Sequence, residues 1–285
     1  MPPMKRFGRF KTILLSFYSP DVYRDVAANW KGIGVLYLLL LLALCWLPSA
    51  GRWYRGLQRF AAGEGAAIAR QVPAVTIEKG VMRVDPPGRH IIRDPENTNK
   101  DPDANETLLV IDDTIDTVPE EFDGEEAIML TRREFGMIRP SRGERRVWAL
   151  TPSVDMEVDA ADVENFFAGL PSWLPVIGYG ICLAGSLLMR TLQSLTYGAI
   201  GMLLVSHAGA TLDYAASVRL AAVAMTPVIL LRTLIWFGPW EPSWYIRWPI
   251  AIAITLAYLR FAIRAAAAGR SAEQEVAGFS PRSVS

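Results

Sequence analysis

Residues 33–47 read IGVLYLLLLLALCWL, fifteen residues without a charge. Eight Leu with Ile33 and Val35, at roughly −0.3 to −0.6 kcal/mol each, give about −3 to −6 kcal/mol for entering a bilayer. Extended to residue 50, and with Trp30 ahead of it, the run approaches the ~20 residues that cross ~30 Å of hydrocarbon. Residues 33–50 are therefore read as a first transmembrane helix. Pro48-Ser49-Ala50 makes a weak cleavage site, and the 32 residues before the run are too long for an ordinary signal n-region, so the helix is read as an uncleaved anchor.

The charge around this anchor is unevenly placed. Residues 51–172 hold 15 Lys/Arg and 23 Asp/Glu, a net −8, while the rest of the chain holds 14 and 6, a net +8. A half-apolar chain with its acids in one block reads as a water-soluble domain inserted into a basic membrane unit. Residues 1–32 form a basic amphipathic segment. Phe7, Phe10, Leu14 and Phe17 recur at helical spacing among Lys5, Arg6, Arg9 and Lys11, as in a helix lying on an anionic leaflet. Ser19, Pro20 and Asp21 mark the start of a second short helix through Val22, Val26 and Trp30. Six Lys/Arg precede the anchor, which predicts a cytoplasmic N-terminus.

From Pro73 onward, β-like stretches alternate with turns: AVTIEKG, VMRVD, HIIRD, TLLVIDD, EAIMLT, FGMIRP and RVWALT. Pro-Pro-Gly at 86–88, Asp-Gly at 123–124 and Arg-Gly at 142–143 punctuate them. Residues 51–172 thus read as a small β-rich extracytoplasmic domain, with a short helix at 162–170 and Pro171 and Pro175 marking re-entry to the membrane. Apolar segments at 173–189, 194–212, 216–236 and 244–263 predict a four-helix transmembrane bundle over 173–263. Residues 264–285 read as a polar disordered tail. Arg190 separates the second and third segments, and Pro227 is placed to kink the fourth. Gly178, Gly180, Gly185, Ser194, Gly198 and Gly201 permit close helix packing. Trp236, Trp240, Trp244 and Trp248 suit an aromatic belt.

The stretches SFYSPDVYRDV at 16–26, WKGIG at 30–34, TLLVIDDTID at 107–116, AIMLT at 127–131, LTYGAIGMLL at 195–204 and LDYAASVRLAAVAMTPVILL at 212–231 are distinctive. Together they resemble an uncharacterised bacterial membrane protein family that carries a domain-of-unknown-function label and is sometimes linked with maltodextrin utilisation. It is distantly similar to the five-span Yip-type proteins. The resemblance implies an N-terminal span, a soluble insertion and a C-terminal helical bundle in the bacterial cytoplasmic (inner) membrane, and it supplies no reaction and no catalytic residue.

Candidate chemistry is sparse. Asp112 and Asp113 follow an apolar strand much as an aspartic-protease carboxylate does, but Ile115 stands where that motif has glycine, and they read as a solvated strand end. Asp101, Asp103, Asn105, Thr107, Leu109 and Asp112 have calcium-loop spacing, yet position 6 is Glu106 and position 12 is Asp, so an acidic loop is the preferred reading. His90 and His207 are the only histidines, and no His-Glu-x-x-His, Gly-x-Ser-x-Gly or Walker loop is present. Cys45 and Cys182 read as small apolar residues.

A carboxylate within a span is usually paired, and Asp213, six residues before Arg219, is read as a structural ion pair with it. Arg219 and Arg232 can snorkel to opposite interfaces. The fold expected is an α-helical polytopic membrane protein with an inserted β-rich domain, five spans and an external C-terminus. The expected function is non-enzymatic, without cofactor, metal or nucleic acid. It is an adaptor or regulator whose partners are membrane lipids and an unknown protein or a second copy of the chain. The alternatives are a transporter or its accessory subunit, and a membrane-bound hydrolase with no nominated nucleophile.

Overall fold

The computed structural model describes residues 7–95, 107–120, 127–139, 144–207, 211–238 and 243–278. The chain divides into two units, Met1–Ala50 with Ile177–Ser285, and Gly51–Val176. Among the described residues four helices are long and apolar enough to cross a membrane: Val35–Ala69, Ala160–Ser206, Tyr214–Phe237 and Tyr245–Ala268. The sequence suggests five.

The difference lies at Arg190. Residues 173–189 and 194–212 read as separate spans in the sequence, but one helix, α5, runs unbroken from Ala160 to His207. Between them lies only Arg190-Thr191-Leu192-Gln193, which contains no Gly or Pro to stop a helix. The helix at 162–170 is merely the start of α5, and Pro171 and Pro175 lie inside it. At 1.5 Å per residue α5 is about 72 Å long, more than twice a bilayer core.

The first unit begins with α1 (Arg9–Leu15) and α2 (Pro20–Asn29), followed by α3 (Val35–Phe60), which continues past the expected end at residue 50. α1 buries Thr12 and Ile13 and leaves Phe10 62% and Leu14 71% exposed. α2 is a core element: Val22, Tyr23, Asp25, Val26 and Ala27 are all buried. Its apolar residues join Tyr37, Leu38 and Leu41 of α3 in one hydrophobic core. α6 (Tyr214–Ala224) and α7 (Thr226–Phe237) meet at Met225, and Pro227 sits in the first turn of α7, as its missing N–H requires. α8 (Trp244–Gly278) extends well into the stretch expected to be a disordered tail. Ala-rich sequence with Glu and Gln favours this extension, and burial of Ala265 and Ala266 anchors it.

The second unit carries the expected strands nearly residue for residue. After a π-helical turn at Ala61–Gly65 and a short α4 (Ala66–Ala69), eight strands follow among the described residues: β1 (Ala74–Glu78), β2 (Val81–Asp85), β3 (Arg89–Arg93), β4 (Thr107–Asp112), β5 (Ala127–Thr131), β6 (Glu134–Arg139), β7 (Glu144–Ala149) and β8 (Met156–Val158). They form a three-stranded sheet in the order β2-β1-β8 and a five-stranded sheet in the order β3-β4-β5-β6-β7. All pairs are antiparallel except β4 with β5. The β1–β2 hairpin turns at Lys79-Gly80, both at positive φ. A Cβ on Gly80 would lie 2.7 Å from the Leu150 carbonyl oxygen, so glycine is required there for space as well as for φ. Alternation puts Val75, Ile77, Met82 and Val84 inward, against Ile92 and Ile111.

Candidate functional site

Asp213 and Arg219 receive different surroundings. At 100° per residue, six residues place them roughly 120° apart around α6. Asp213 is exposed as the N-cap of α6; its carbonyl accepts the Ser217 N–H at 3.0 Å, and its carboxylate makes no capping bond. Arg219 is buried, only 9% exposed. Its Nη1 donates to the Gly32 carbonyl and its Nη2 to the Ala27 carbonyl, each at 3.1 Å. Ala27 belongs to the last turn of α2, where carbonyls lack helical partners and the helix dipole is negative. The guanidinium thus caps α2 and holds the turn that follows it.

Other interactions complete this docking. Arg24 Nε donates to the Ala265 carbonyl of α8 at 3.2 Å, and the Tyr23 ring packs edge-on to Phe261 at 5.6 Å. Buried Asp25 accepts from the Phe7 N–H at 3.3 Å and from Asn29 Nδ2 at 2.7 Å. The Tyr23 hydroxyl donates to the Ser16 carbonyl, and burial pushes its phenol above the ordinary range, so it remains a neutral donor. Tyr37 Oη and Thr226 Oγ1 share a hydrogen bond of 2.6 Å. α2 therefore ties together α6, α8 and the start of α3.

The paired aspartates of the second unit have separate structural tasks. Asp112 Oδ1 accepts from the Thr114 N–H and hydroxyl, an Asx-type turn at the end of β4. The Asp113 carboxylate accepts from the Val84 N–H at 3.3 Å and the Gly88 N–H at 2.8 Å, fixing the Pro86–Gly88 turn. Of the calcium-spaced residues, Asp101, Asp103 and Asn105 lie outside the described residues. Thr107, Leu109 and Asp112 lie on β4, which pairs with β3 and β5. His90 Nε2 bonds the Pro86 carbonyl at 2.8 Å, and His207 ends α5. Cys45 and Cys182 are free and half-buried.

A different feature stands out in the first unit. α5, α7 and α8 line a cavity of about 510 Å³ that receives Arg190, Arg232 and Arg247, together with Gln193, Ser243 and an apolar wall. Arg190 Nη1 donates to Gln193 Oε1 at 2.7 Å. Sequence reasoning misses this site because Arg190 reads there as a break between two spans.

Among the described residues, four membrane-length apolar helices with a β-sheet insertion between the first and second define the class of the chain. Residues 10–263 match the family described as protein of unknown function (DUF1189), and the chain belongs to that family. No match was found among curated proteins or solved structures.

Proposed function

We propose that the chain is a non-enzymatic, multi-pass membrane protein of the bacterial inner membrane that acts as an adaptor or regulator through its β-rich unit. The observation that carries the adaptor role is the edge of the five-stranded sheet. Among the described residues β7 is its last strand, and Trp148 on it is 48% exposed while stacking on Phe135 at 5.7 Å. Open edges recruit an extended segment of a partner through main-chain hydrogen bonds, and an aromatic ring is a frequent anchor for such binding. A photo-cross-linking residue placed at Trp148 or Arg146, on one face of β7, tests this in intact cells. Adducts to a second envelope polypeptide are expected. Adducts only to another copy of the chain would replace the adaptor with a homo-oligomer, and none at either position would overturn the reading.

Membrane insertion is supported by large exposed apolar residues along the helices, among them Ile181, Leu188, Leu203, Leu234 and Trp236, an apolar surface that soluble monomers rarely carry. Packing also supports four crossings. α2 lies against α6 and the later part of α8, and Gly201 of α5 lies beside Ser217 and Ile263. α3 then leaves this end, α5 returns to it, α6 and α7 leave again, and α8 comes back. Residues 7–31 and 264–278 share one side, and the basic segment before α3 makes that side cytoplasmic. This arrangement makes the C-terminus internal, where the sequence reading has it external, and turns Arg260, Arg264 and Arg270 toward the cytoplasmic end of α8. Fusion after Ser285 should give a fluorescent protein that folds and an alkaline phosphatase that stays inactive. An active phosphatase would restore five spans. A transporter or accessory role is the second reading, and the arginine-lined cavity favours it.

A further inference from the structure

The cavity between α5, α7 and α8 places three arginines around one space whose wall is mostly apolar. Among the described residues its lining contains no carboxylate, and none of the three arginines forms an ion pair. Gln193 orients Arg190 through a carboxamide oxygen but cannot neutralise it. Arginines in membrane segments are rare and usually face a partner or a cavity, and like charges in one cavity add repulsion. Such residues mark a functional site by default, with a counter-charge to be found.

The position of the cavity points to the source of that charge. Arg232 lies five residues before the end of α7, and Arg247 three residues after the start of α8. Both are therefore near the end of the first unit opposite the α2 docking site. Trp236 and Trp248, 64% and 50% exposed, flank them as residues of a headgroup-level belt do. A planar guanidinium matches phosphate oxygens two at a time, while Leu231, Ile235 and Ile254 present hydrocarbon.

We infer that this cavity binds a phosphate-bearing anionic amphiphile, its phosphate held by Arg190, Arg232 and Arg247 and its acyl chain on the apolar wall. The inference rests on the membrane reading but not on the adaptor role or on β7. The phosphate could come from a membrane lipid or from free phosphate, and the test separates them.

The full chain is purified in a neutral detergent and titrated with phosphatidylglycerol, phosphatidylcholine or inorganic phosphate. Melting temperature and native mass spectrometry report binding. Phosphatidylglycerol is expected to raise the melting temperature and give a one-to-one adduct, and phosphatidylcholine is not. Arg232→Gln, at an exposed position that folding tolerates, should weaken the adduct about tenfold, the equivalent of one charge-assisted hydrogen bond. Arg190→Gln should weaken it further. If inorganic phosphate alone gives the shift and Arg232→Gln removes it, the anion site stands and the lipid is excluded. The inference is overturned by an equal shift with phosphatidylcholine, by no shift with any probe, or by a shift that survives both substitutions.

Discussion

Replacing Arg219 with Ala is expected to lower the melting temperature of the full chain in detergent by roughly 10 °C. The side chain donates two hydrogen bonds to the Ala27 and Gly32 carbonyls from a buried position. Bonds from a charged group contribute about 1.5–3 kcal/mol each, and a chain of this size loses about 2–4 °C per kcal/mol. Truncation also leaves the end of α2 without its counter-charge. Arg219→Lys should recover only part of the loss, because one ammonium cannot fork to both carbonyls. Asp213→Asn, at an exposed N-cap, should change stability by less than ~1 kcal/mol. Hydrogen exchange should show α2 opening in Arg219→Ala while the β strands stay protected. If Asp213→Asn reproduced the loss, with α2 still protected, the ion pair inferred from sequence would replace the capping role.

The β-rich unit is legible because its signals are local. Strict alternation in AVTIEKG and VMRVD and a turn at Lys79-Gly80 place β1 and β2 without any knowledge of their neighbours. Only the short β8 escapes the pattern, since three residues carry too little of it. The helices are harder because hydropathy reports apolarity and not continuity. Met189 to Ser194 is a polar dip, which looks like a loop in an apolar scan, yet every residue in it can sit in a helix. The same dip conceals the cavity, since an arginine at a loop needs no counter-charge and one inside a span does. The packing of α2 is not legible for another reason. Its apolar spacing at Val22, Val26 and Trp30 is the same whether the face meets lipid or α6 and α8. Its buried Asp25 and Tyr23 carry the distinguishing signal, since a helix on a membrane surface would turn such groups to water. Arg219 is recognisable as structural, but its partners lie in residues 27–32, a separation that spacing along one helix cannot reveal.

Gly198→Leu is expected to separate α5 from α6 and leave little folded chain. Several small residues on α5 have the composition of a packing face, but they are not equivalent. A Cβ on Gly180 or Gly185 would meet nothing within 4 Å. On Gly198 it would collide with Val218 Cγ2 and lie 3.0 Å from Val218 Cα, and Ser217 Oγ donates to the Gly198 carbonyl at 2.8 Å. The second obstacle is backbone and cannot rotate away, so α6 itself must move. Overpacking of this kind costs about 1–3 kcal/mol for a small addition, which is the range expected for Gly198→Ala. Leucine adds three carbons to the same space and should exceed it. Val218→Ala removes the nearer obstacle and should restore part of the Gly198→Ala loss, but none of what the α6 main chain imposes. Gly185→Leu should be nearly silent. These comparisons read out as melting temperature and as the fraction of chain that elutes monodisperse. A Gly198→Leu protein as stable as Gly185→Leu would mean that α5 and α6 do not touch at Val218. It would also unseat the return of α5 to the end where α2 docks, and with it the four-crossing arrangement built on that return.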